Sequence, residues 1–212
     1  MTQAVELLLV LVALTNLVVL GTTRLSTCIR ALAGQGVLLG LLPLALYPGA
    51  SLHTWGLAAG TILVKAVALP WLLNWAIREA SVRRQVEPRL GYVAGLLLGV
   101  VAIAVAFAIS ATLPLGEEAR DLLVPVALAT VIIGLMVLTT RTKAVVQVVG
   151  YVMLENGVYL FGLIHVERVP FLVEVGVLLD VFVGVFIMGI VVFHISREFD
   201  TLDTARLTEL SE

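Results

Sequence analysis

The sequence predicts an all-α integral membrane protein with seven transmembrane helices. Three observations support this fold class: apolar residues make up 60% of the 212 residues, charged residues make up only 13%, and the apolar residues lie in long runs. A soluble globular protein carries about 25% charged residues. This chain therefore has too little charge to cover a surface in contact with water, which excludes a soluble protein of one or two domains.

Seven apolar runs are long enough to be membrane spans, because a helix crosses about 30 Å of hydrocarbon in about 20 residues. They cover residues 4–21, 29–47, 55–77, 91–113, 122–138, 144–164 and 169–195. The connections between them are short, so we expect no soluble domain. The first span is not preceded by the basic residues of a cleaved signal peptide, so we expect it to be a true span.

The basic residues predict the orientation, because cytoplasmic connections are enriched in Lys and Arg. Arg120 and Arg168 lie on one side of the predicted membrane, and Lys65 lies within a span. The other ten basic residues lie on the opposite side: Arg24, Arg30, Arg78, Arg83, Arg84, Arg89, Arg141, Lys143, Arg197 and Arg206. We therefore expect the N-terminus outside, the C-terminus in the cytoplasm, and residues 197–212 to form a cytoplasmic tail.

Glycines recur every four residues in two of the spans, and such faces let helix backbones approach closely in lipid. The second span has Gly36 and Gly40, and the fourth has Gly91, Gly95 and Gly99. Packing inside this bundle and docking to another subunit both explain these faces.

Composition also argues against several classes of function. A formal net charge of −2 with no basic run gives no sign of a nucleic-acid partner. The single Cys28 cannot form an internal disulfide or a redox pair. No nucleotide-binding or hydrolase motif is present, and His53, His165 and His194 are not spaced as metal ligands. We therefore expect no catalytic residue, cofactor or metal. His194, near the end of the last span, is either a proton-entry group or a solvated side chain.

Four ionisable side chains lie too deep within the predicted spans to reach the membrane surface: Lys65, Glu155, Glu174 and Asp180. A charge at the centre of a bilayer costs about 2.5–3.5 kcal/mol even on lenient scales. These side chains must therefore face protein or water, and we expect them to face each other. Ionisable groups inside a membrane are candidates for a proton or ion path.

Lys65, Glu155 and Asp180 are predicted to lie at a similar depth. Counted from the outer ends of their spans at a rise of about 1.5 Å per residue, all three lie about 14–17 Å deep, near the midplane. Glu174 lies only about 8 Å deep. The sixth and seventh spans are joined by so few residues that they should be antiparallel neighbours, which would place Glu155 and Asp180 at one level.

Polar side chains accompany these groups. A stripe along one face of the sixth span is formed by residues at intervals of four, namely Gln147, Tyr151, Glu155 and Tyr159. Asn156 adds an amide beside the carboxylate, and Thr61 lies one turn from Lys65. Pro70 has no amide donor, which frees the carbonyl of Ala66 and predicts a kinked helix that can hold water.

Each of these features also has a purely structural explanation. A buried pair of Lys65 with either acid can simply hold helices together. Asn16 and Gln35 can be interhelical hydrogen bonds rather than members of a relay.

The residues around Glu155 and Asp180 resemble a known family, component E of hydrogenase-4 and formate hydrogenlyase. The matching residues are Met153-Leu154-Glu155-Asn156-Gly157, then Pro170 through Glu174, Gly176, Leu179-Asp180 and Gly184. The chain also fits that family in its length and its plan of seven spans, including Lys65 and Pro70 in the third helix.

The last three helices resemble the small NuoK-type (or MrpC-type) subunit of respiratory complex I and Mrp antiporters. In that subunit a glutamate follows a leucine in mid-helix, and a second glutamate precedes a glycine by four residues in the next helix. Glu155 after Leu154 and Asp180 before Gly184 match these positions. The second acid is Asp here, and Glu174 has no counterpart in the small subunit.

This resemblance implies three parts. Residues 1–143 form an N-terminal membrane part that carries Lys65. Residues 144–196 form a NuoK-like helix pair, together with the preceding helix 122–138, and residues 197–212 form the tail.

The resemblance implies a non-catalytic membrane subunit of a complex-I-like, group 4 hydrogenase-type complex in the inner membrane of a prokaryote. Its partners would be antiporter-like and other membrane subunits, membrane lipid and, in the assembled complex, a cytoplasmic redox arm. With the buried charges, it predicts a proton or cation path through Lys65, Glu155, Asp180 and Glu174, joined by water.

The alternatives are a free-standing ion or small-solute permease and a purely structural spacer between antiporter-like subunits. A rhodopsin-type photoreceptor is disfavoured, because its lysine belongs to the last helix and this last helix carries acids.

Overall fold

The described part of the protein is built of helices. The computed structural model describes residues 3–22, 24–46, 49, 52–79, 91–113, 122–141, 144–163, 180 and 182–189. The first helix runs Gln3–Gly21, the second Leu25–Leu46, the fourth Tyr92–Thr112, the fifth Leu123–Thr140 and the sixth Ala144–Leu163. The third span consists of three consecutive segments, Leu52–Thr61, Ile62–Ala68 and Leu69–Glu79. Residues 182–189, within the seventh predicted span, are helical.

Six of these helices are long and apolar enough to cross a membrane, and they coincide with the first six predicted spans to within a few residues. The all-helical membrane fold predicted from the sequence is thereby confirmed for the described residues. The seventh predicted span is described only at 180 and 182–189. A total of seven spans, the orientation and the division into three parts therefore stay predictions.

The fifth and sixth helices form the centre of the bundle. A Cβ atom added to Gly134 would lie 2.5 Å from the backbone nitrogen of Leu154, and one added to Gly150 would lie 2.5 Å from that of Leu138. Residue numbers rise along one helix as they fall along the other, so the two helices are antiparallel. Gly157 makes a similarly close contact with the fifth helix. Small residues thus let the two backbones touch, as expected for helices that pack in lipid.

The two glycine faces predicted from the sequence pack differently. Gly36 and Gly40 of the second helix lie against the third span, where an added Cβ would overlap its atoms. In the fourth helix Gly99 packs against two leucines of the first helix, whereas nothing described lies within 4 Å of a Cβ added to Gly91 or Gly95. The fourth helix is peripheral, because only 22% of its most apolar stretch is buried, compared with 72% in the sixth.

A polar layer divides the apolar interior into two clusters. The first cluster includes Val19, Leu25, Leu73, Val137, Val149 and Val183. The second includes Leu9, Leu39, Val126 and Leu160. Between the two clusters along the helices lie the buried polar side chains Asn16, Gln35, Lys65, Thr130, Glu155, Asn156 and Asp180. Five of the six long helices contribute to this layer, and the fourth does not.

Candidate functional site

Three charged side chains meet in the polar layer. The ammonium of Lys65 donates to Oε1 of Glu155 at 2.6 Å and to Oδ1 of Asp180 at 3.0 Å. The three residues are 3%, 1% and 5% exposed, respectively. This charge cluster, Lys65 with Glu155 and Asp180, therefore connects the third span, the sixth helix and the first described residue of the seventh predicted span. The structure brings together the three residues that the sequence placed near the midplane.

The backbone around Lys65 is π-helical. In a π-helix each N–H bonds to the carbonyl five residues earlier, as the N–H of Leu69 does to the carbonyl of Val64. The segment Ile62–Ala68 has Lys65 at its centre, and Pro70 follows at the start of the next α-helical segment. A proline cannot donate the N–H that an unbroken α-helix requires at that position. The sequence predicted an interruption here, but as a kink with a free carbonyl at Ala66 rather than as a wider helical turn.

Gly36 of the second helix lies directly against the backbone of Lys65. A Cβ atom at Gly36 would lie 2.7 Å from the carbonyl carbon of Lys65, 2.8 Å from the nitrogen of Ala66 and 2.9 Å from Cβ of Lys65. Backbone atoms cannot give way as the end of a flexible side chain can. The second helix therefore touches the π-helical backbone directly, and only glycine permits this contact.

Tyr159 and Thr61 extend the cluster within the membrane. Nζ of Lys65 lies 5.7 Å from the centre of the Tyr159 ring, within the range of a cation–π contact. The hydroxyls of Tyr159 and Thr61 are hydrogen-bonded at 3.3 Å. Thr61 immediately precedes the π-helical segment. Both residues were predicted as supporting polar groups, and the structure places both beside Lys65.

A chain of hydrogen-bonded side chains crosses the bundle beside the charge cluster. The Nδ2 of Asn156 donates to Oε1 of Gln35 at 2.9 Å, and Nε2 of Gln35 donates to Oδ1 of Asn16 at 2.8 Å. The Nδ2 of Asn16 donates to the hydroxyl of Thr130 at 2.8 Å, which donates to the carbonyl of Val126 at 2.7 Å. We call these four side chains the amide chain. It joins the sixth, second, first and fifth helices, and sequence reasoning missed Thr130 as a member.

Two buried oxygen atoms of neighbouring residues accept no hydrogen bond from the described part of the protein. They are Oε2 of Glu155 and Oδ1 of Asn156. Glu155 uses its other oxygen for Lys65, and Asn156 uses its amide nitrogen for Gln35. Both oxygens can accept a hydrogen bond from a further donor, since a carboxylate and an amide carbonyl each have free lone pairs.

The N-terminal half of the predicted polar stripe, Gln147 and Tyr151, lies apart from the charge cluster. Gln147 donates through Nε2 to the backbone carbonyl of Arg141 at 3.1 Å. Gln147 and Tyr151 both line a largely apolar cavity of about 160 Å³, together with residues that include Phe182 and Phe186. The four-residue interval gives one continuous stripe only on an isolated helix. In the bundle, different neighbours cover its two ends.

Two predicted site residues, Glu174 and His194, lie outside the described residues. Within the part of the chain that the structure describes, no group of three or more His, Cys, Asp or Glu side chains is arranged to hold a metal ion.

Comparison with known proteins identifies relatives along most of the chain. No family model matches the sequence, and no solved structure matches it significantly. Hydrogenase-4 component E of Escherichia coli strain K12 and that of Shigella flexneri are each 27% identical over 167 residues, which are 78% of this chain and 76% of theirs. These matches support the predicted resemblance as a distant homology, whereas the NuoK-like resemblance stays a prediction.

A further relative is more similar and covers more of the chain. The uncharacterized protein Rv0085 of Mycobacterium tuberculosis is 33% identical over 204 residues, which are 94% of this chain and 92% of that protein. The chain is therefore a multi-pass membrane protein that belongs to the same family as Rv0085 and is a distant homologue of hydrogenase-4 component E.

Proposed function

We propose that this chain is a non-catalytic membrane subunit of a complex-I-like, hydrogenase-type complex, and that its charge cluster is part of a proton path. Homology to hydrogenase-4 component E and the six helices that are long and apolar enough to cross a membrane support the first statement. The buried Lys65 between Glu155 and Asp180 supports the second. The partners that we propose are antiporter-like and other membrane subunits, together with a cytoplasmic redox arm.

The proposed topology has seven spans in the inner membrane of a prokaryote, with an external N-terminus. The distribution of basic residues supports this topology, because ten lie on one side of the spans and two on the other. Glu174 and His194 would then extend the path from the cluster toward the outer and cytoplasmic surfaces, respectively.

The single observation that carries the proton path is the composition of the charge cluster. One ammonium contacts two carboxylates, so the three groups together hold one negative charge when all are ionised. An uncompensated charge in a low-dielectric interior is costly, and a group there takes up a proton instead of remaining charged. We propose that the cluster binds one proton in addition to that of Lys65, with Oε2 of Glu155 free to receive it.

The geometry also suggests how a proton would move. Lys65 lies within hydrogen-bond distance of both acids, so a small movement of its flexible side chain strengthens one pairing and weakens the other. The acid that loses the ammonium then becomes the better proton acceptor, because a nearby positive charge favours the carboxylate form. Electron transfer elsewhere in the complex would drive this exchange by shifting Lys65 between the two partners.

A proton fits this cluster better than a metal cation. The ammonium already occupies the space between the two carboxylates and repels a second cation at short range. A metal ion also needs several oxygen ligands, whereas a proton needs only one acceptor. A cation such as Na⁺ is therefore the less favoured form of the same proposal.

The second candidate function is that of a structural spacer between channel subunits. The observation that favours it is that Lys65 joins three separate segments through its two ion pairs. A spacer requires the size and hydrogen bonds of these side chains for assembly but not their ability to exchange a proton, so it tolerates their neutral isosteres. Asp180→Asn distinguishes the two, because asparagine keeps the size and the acceptor oxygen but cannot release a proton.

The experiment has two parts. Gentle detergent extraction should recover the chain with larger membrane subunits, whereas recovery as the sole active species would favour a permease. In vesicles that contain the complex, Asp180→Asn should assemble and transfer electrons but pump few protons. Glu6→Gln is the matched control, because it neutralises an exposed acid of the first helix. A spacer predicts normal pumping by both variants.

A further inference from the structure

We propose that Gln35 and Asn156 are positioning residues that set the separation of Lys65 and Glu155, and this inference rests on the proposed function of the charge cluster. The observation behind it is a closed ring of contacts. The ring contains two pairs of neighbouring residues, one on the second helix and one on the sixth, and Lys65 completes it.

The ring can be followed contact by contact. Gly36 touches the backbone of Lys65, and Gln35 is its neighbour in the second helix. Gln35 accepts the hydrogen bond of Asn156 at 2.9 Å, and Asn156 is the neighbour of Glu155 in the sixth helix. Glu155 returns to Lys65 through the contact of 2.6 Å. Gly36 holds the backbone of Lys65 against the second helix. The Gln35–Asn156 hydrogen bond holds the sixth helix, and with it Glu155, against the same helix. This hydrogen bond therefore fixes the distance between Lys65 and Glu155.

The rest of the amide chain determines the orientation of the two amides. The hydroxyl of Thr130 donates to the carbonyl of Val126, so it must accept from the amide nitrogen of Asn16. The oxygen of Asn16 then faces the nitrogen of Gln35, and the oxygen of Gln35 faces the nitrogen of Asn156. Every donor points the same way, from Asn156 toward the fifth helix.

The amide chain itself is unsuited to carrying protons. An amide nitrogen does not release its proton near neutral pH, and the last acceptor is a backbone carbonyl rather than a titratable group. Burying four polar side chains is also costly compared with packing apolar ones. What a buried network of hydrogen-bonded side chains provides is a defined arrangement, and here that arrangement ends at Asn156, the residue next to Glu155.

Two ring variants and one matched variant outside the ring test this proposal. Gln35→Met keeps the length of the side chain but removes the acceptor for Asn156. Gly36→Ala pushes the second helix away from Lys65, because the added Cβ overlaps backbone atoms. Thr130→Val breaks the far end of the same amide chain and leaves the ring intact.

Two measurements on the assembled complex separate positioning from stability. The first is the infrared band of the Glu155 carboxyl group, whether ionised or protonated, identified by its disappearance in Glu155→Gln. The second is the number of protons pumped per electron pair, which does not depend on how much complex assembles. A displacement of about 1 Å at a reacting group can slow its reaction up to about a hundredfold. Electron transfer would then outpace proton transfer, so we expect both ring variants to shift the band and to lower the pumping ratio about tenfold. Thr130→Val should lower thermal stability but change neither measurement.

Three outcomes distinguish positioning from a merely structural role. If Gln35→Met loses stability as Thr130→Val does but keeps the band and the ratio, Gln35 is merely structural and the inference is wrong. If Gln35→Met does not assemble, Gly36→Ala tests the same separation from the other side of the ring, and an unchanged band and ratio there would overturn the inference. If the band shifts while Glu155→Gln pumps normally, the positioning is correct and the proposed function is wrong.

Discussion

Replacing Lys65 by methionine removes the ammonium from the charge cluster while it keeps an unbranched side chain of similar length. Glu155 and Asp180 would then lie buried without their cation, at 1% and 5% exposure. In the proposed cluster one acid already carries a proton, so the variant must hold a second acid in the neutral form. We therefore expect the stability of the protein to fall by the free energy of holding one further carboxylic acid protonated.

The size of this loss follows from acid–base equilibrium. Holding a carboxylic acid protonated at pH 7, when its ordinary pKa is about 4, costs about 4 kcal/mol. Removing one partner of a buried ion pair typically costs about 3–5 kcal/mol, which agrees. In a protein of about 200 residues each kcal/mol lowers the melting temperature by about 2–4 °C, so Lys65→Met should lower it by roughly 8–16 °C.

The assay is a thermal scan of the detergent-extracted complex, with Arg30→Met as the control. Arg30 is an exposed basic residue of the second helix, and its loss should change stability by less than about 0.5 kcal/mol. Adding Glu155→Gln to Lys65→Met leaves only one acid to protonate, so the double variant should regain most of the lost stability. A melting temperature of Lys65→Met equal to that of the control, or a second substitution that restores nothing, would refute this account of the buried charges.

Three further predictions concern packing, topology and the outer end of the path. Gly134→Ala should destabilise the protein by about 1–3 kcal/mol in a thermal scan, because its Cβ overlaps the sixth helix. Gly95→Ala should be close to neutral, because no described residue lies within 4 Å of the added Cβ; equal effects would contradict the packing described here. A cysteine in segment 49–54 should react with an impermeant thiol reagent added outside intact cells, and one at Arg83 should not, while the reverse pattern would invert the topology. Glu174→Gln should reduce proton pumping less than Asp180→Asn does, because Glu174 is predicted nearer the outer surface, where water can bypass it; an equal or larger loss would contradict that position.

Much of the fold and of the charge cluster could be predicted from the sequence. Long apolar runs have few structural solutions in lipid, because every backbone group must be satisfied within a helix. That Lys65 and Glu155 lie at a common level along the bundle could be predicted in the same way, since residues per span convert directly to distance. A strongly unfavourable buried charge then requires a partner, and the available partners within the membrane were few.

The π-helical segment could not be predicted from the sequence. Pro70 indicates that the α-helical hydrogen bonds are interrupted, but a kink, a bulge and a π-helix all accommodate that interruption. The contact with Gly36 belongs to another helix, and a local pattern contains no information about which helix will lie opposite. The sequence therefore predicted where the α-helical hydrogen bonds of the third span are interrupted, but not that the interruption takes the form of a π-helical segment.

The amide chain shows a second limit of sequence reasoning. Asn16 and Gln35 were recognised as candidates for interhelical hydrogen bonds, yet each also bonds to a second partner more than a hundred residues away along the chain. Thr130 gave no signal of its own, because threonines in membrane helices often bond only to their own backbone. Conversely, Gln147 and Tyr151 follow the interval of Glu155 and Tyr159 but face a different neighbour.

The measurement that tests the central claim most directly is proton pumping by Glu155→Gln in vesicles that contain the assembled complex. Glutamine preserves the size of the side chain and an acceptor for Lys65, but it cannot take up or release a proton. We expect the complex to assemble and its melting temperature to be equal or slightly higher, because glutamine is neutral without having to take up a proton and leaves Lys65 paired with Asp180 alone. Pumping per electron pair should fall severely, while Glu6→Gln should pump normally. Normal pumping by assembled Glu155→Gln would show that this residue is structural and that the proposed proton path is wrong.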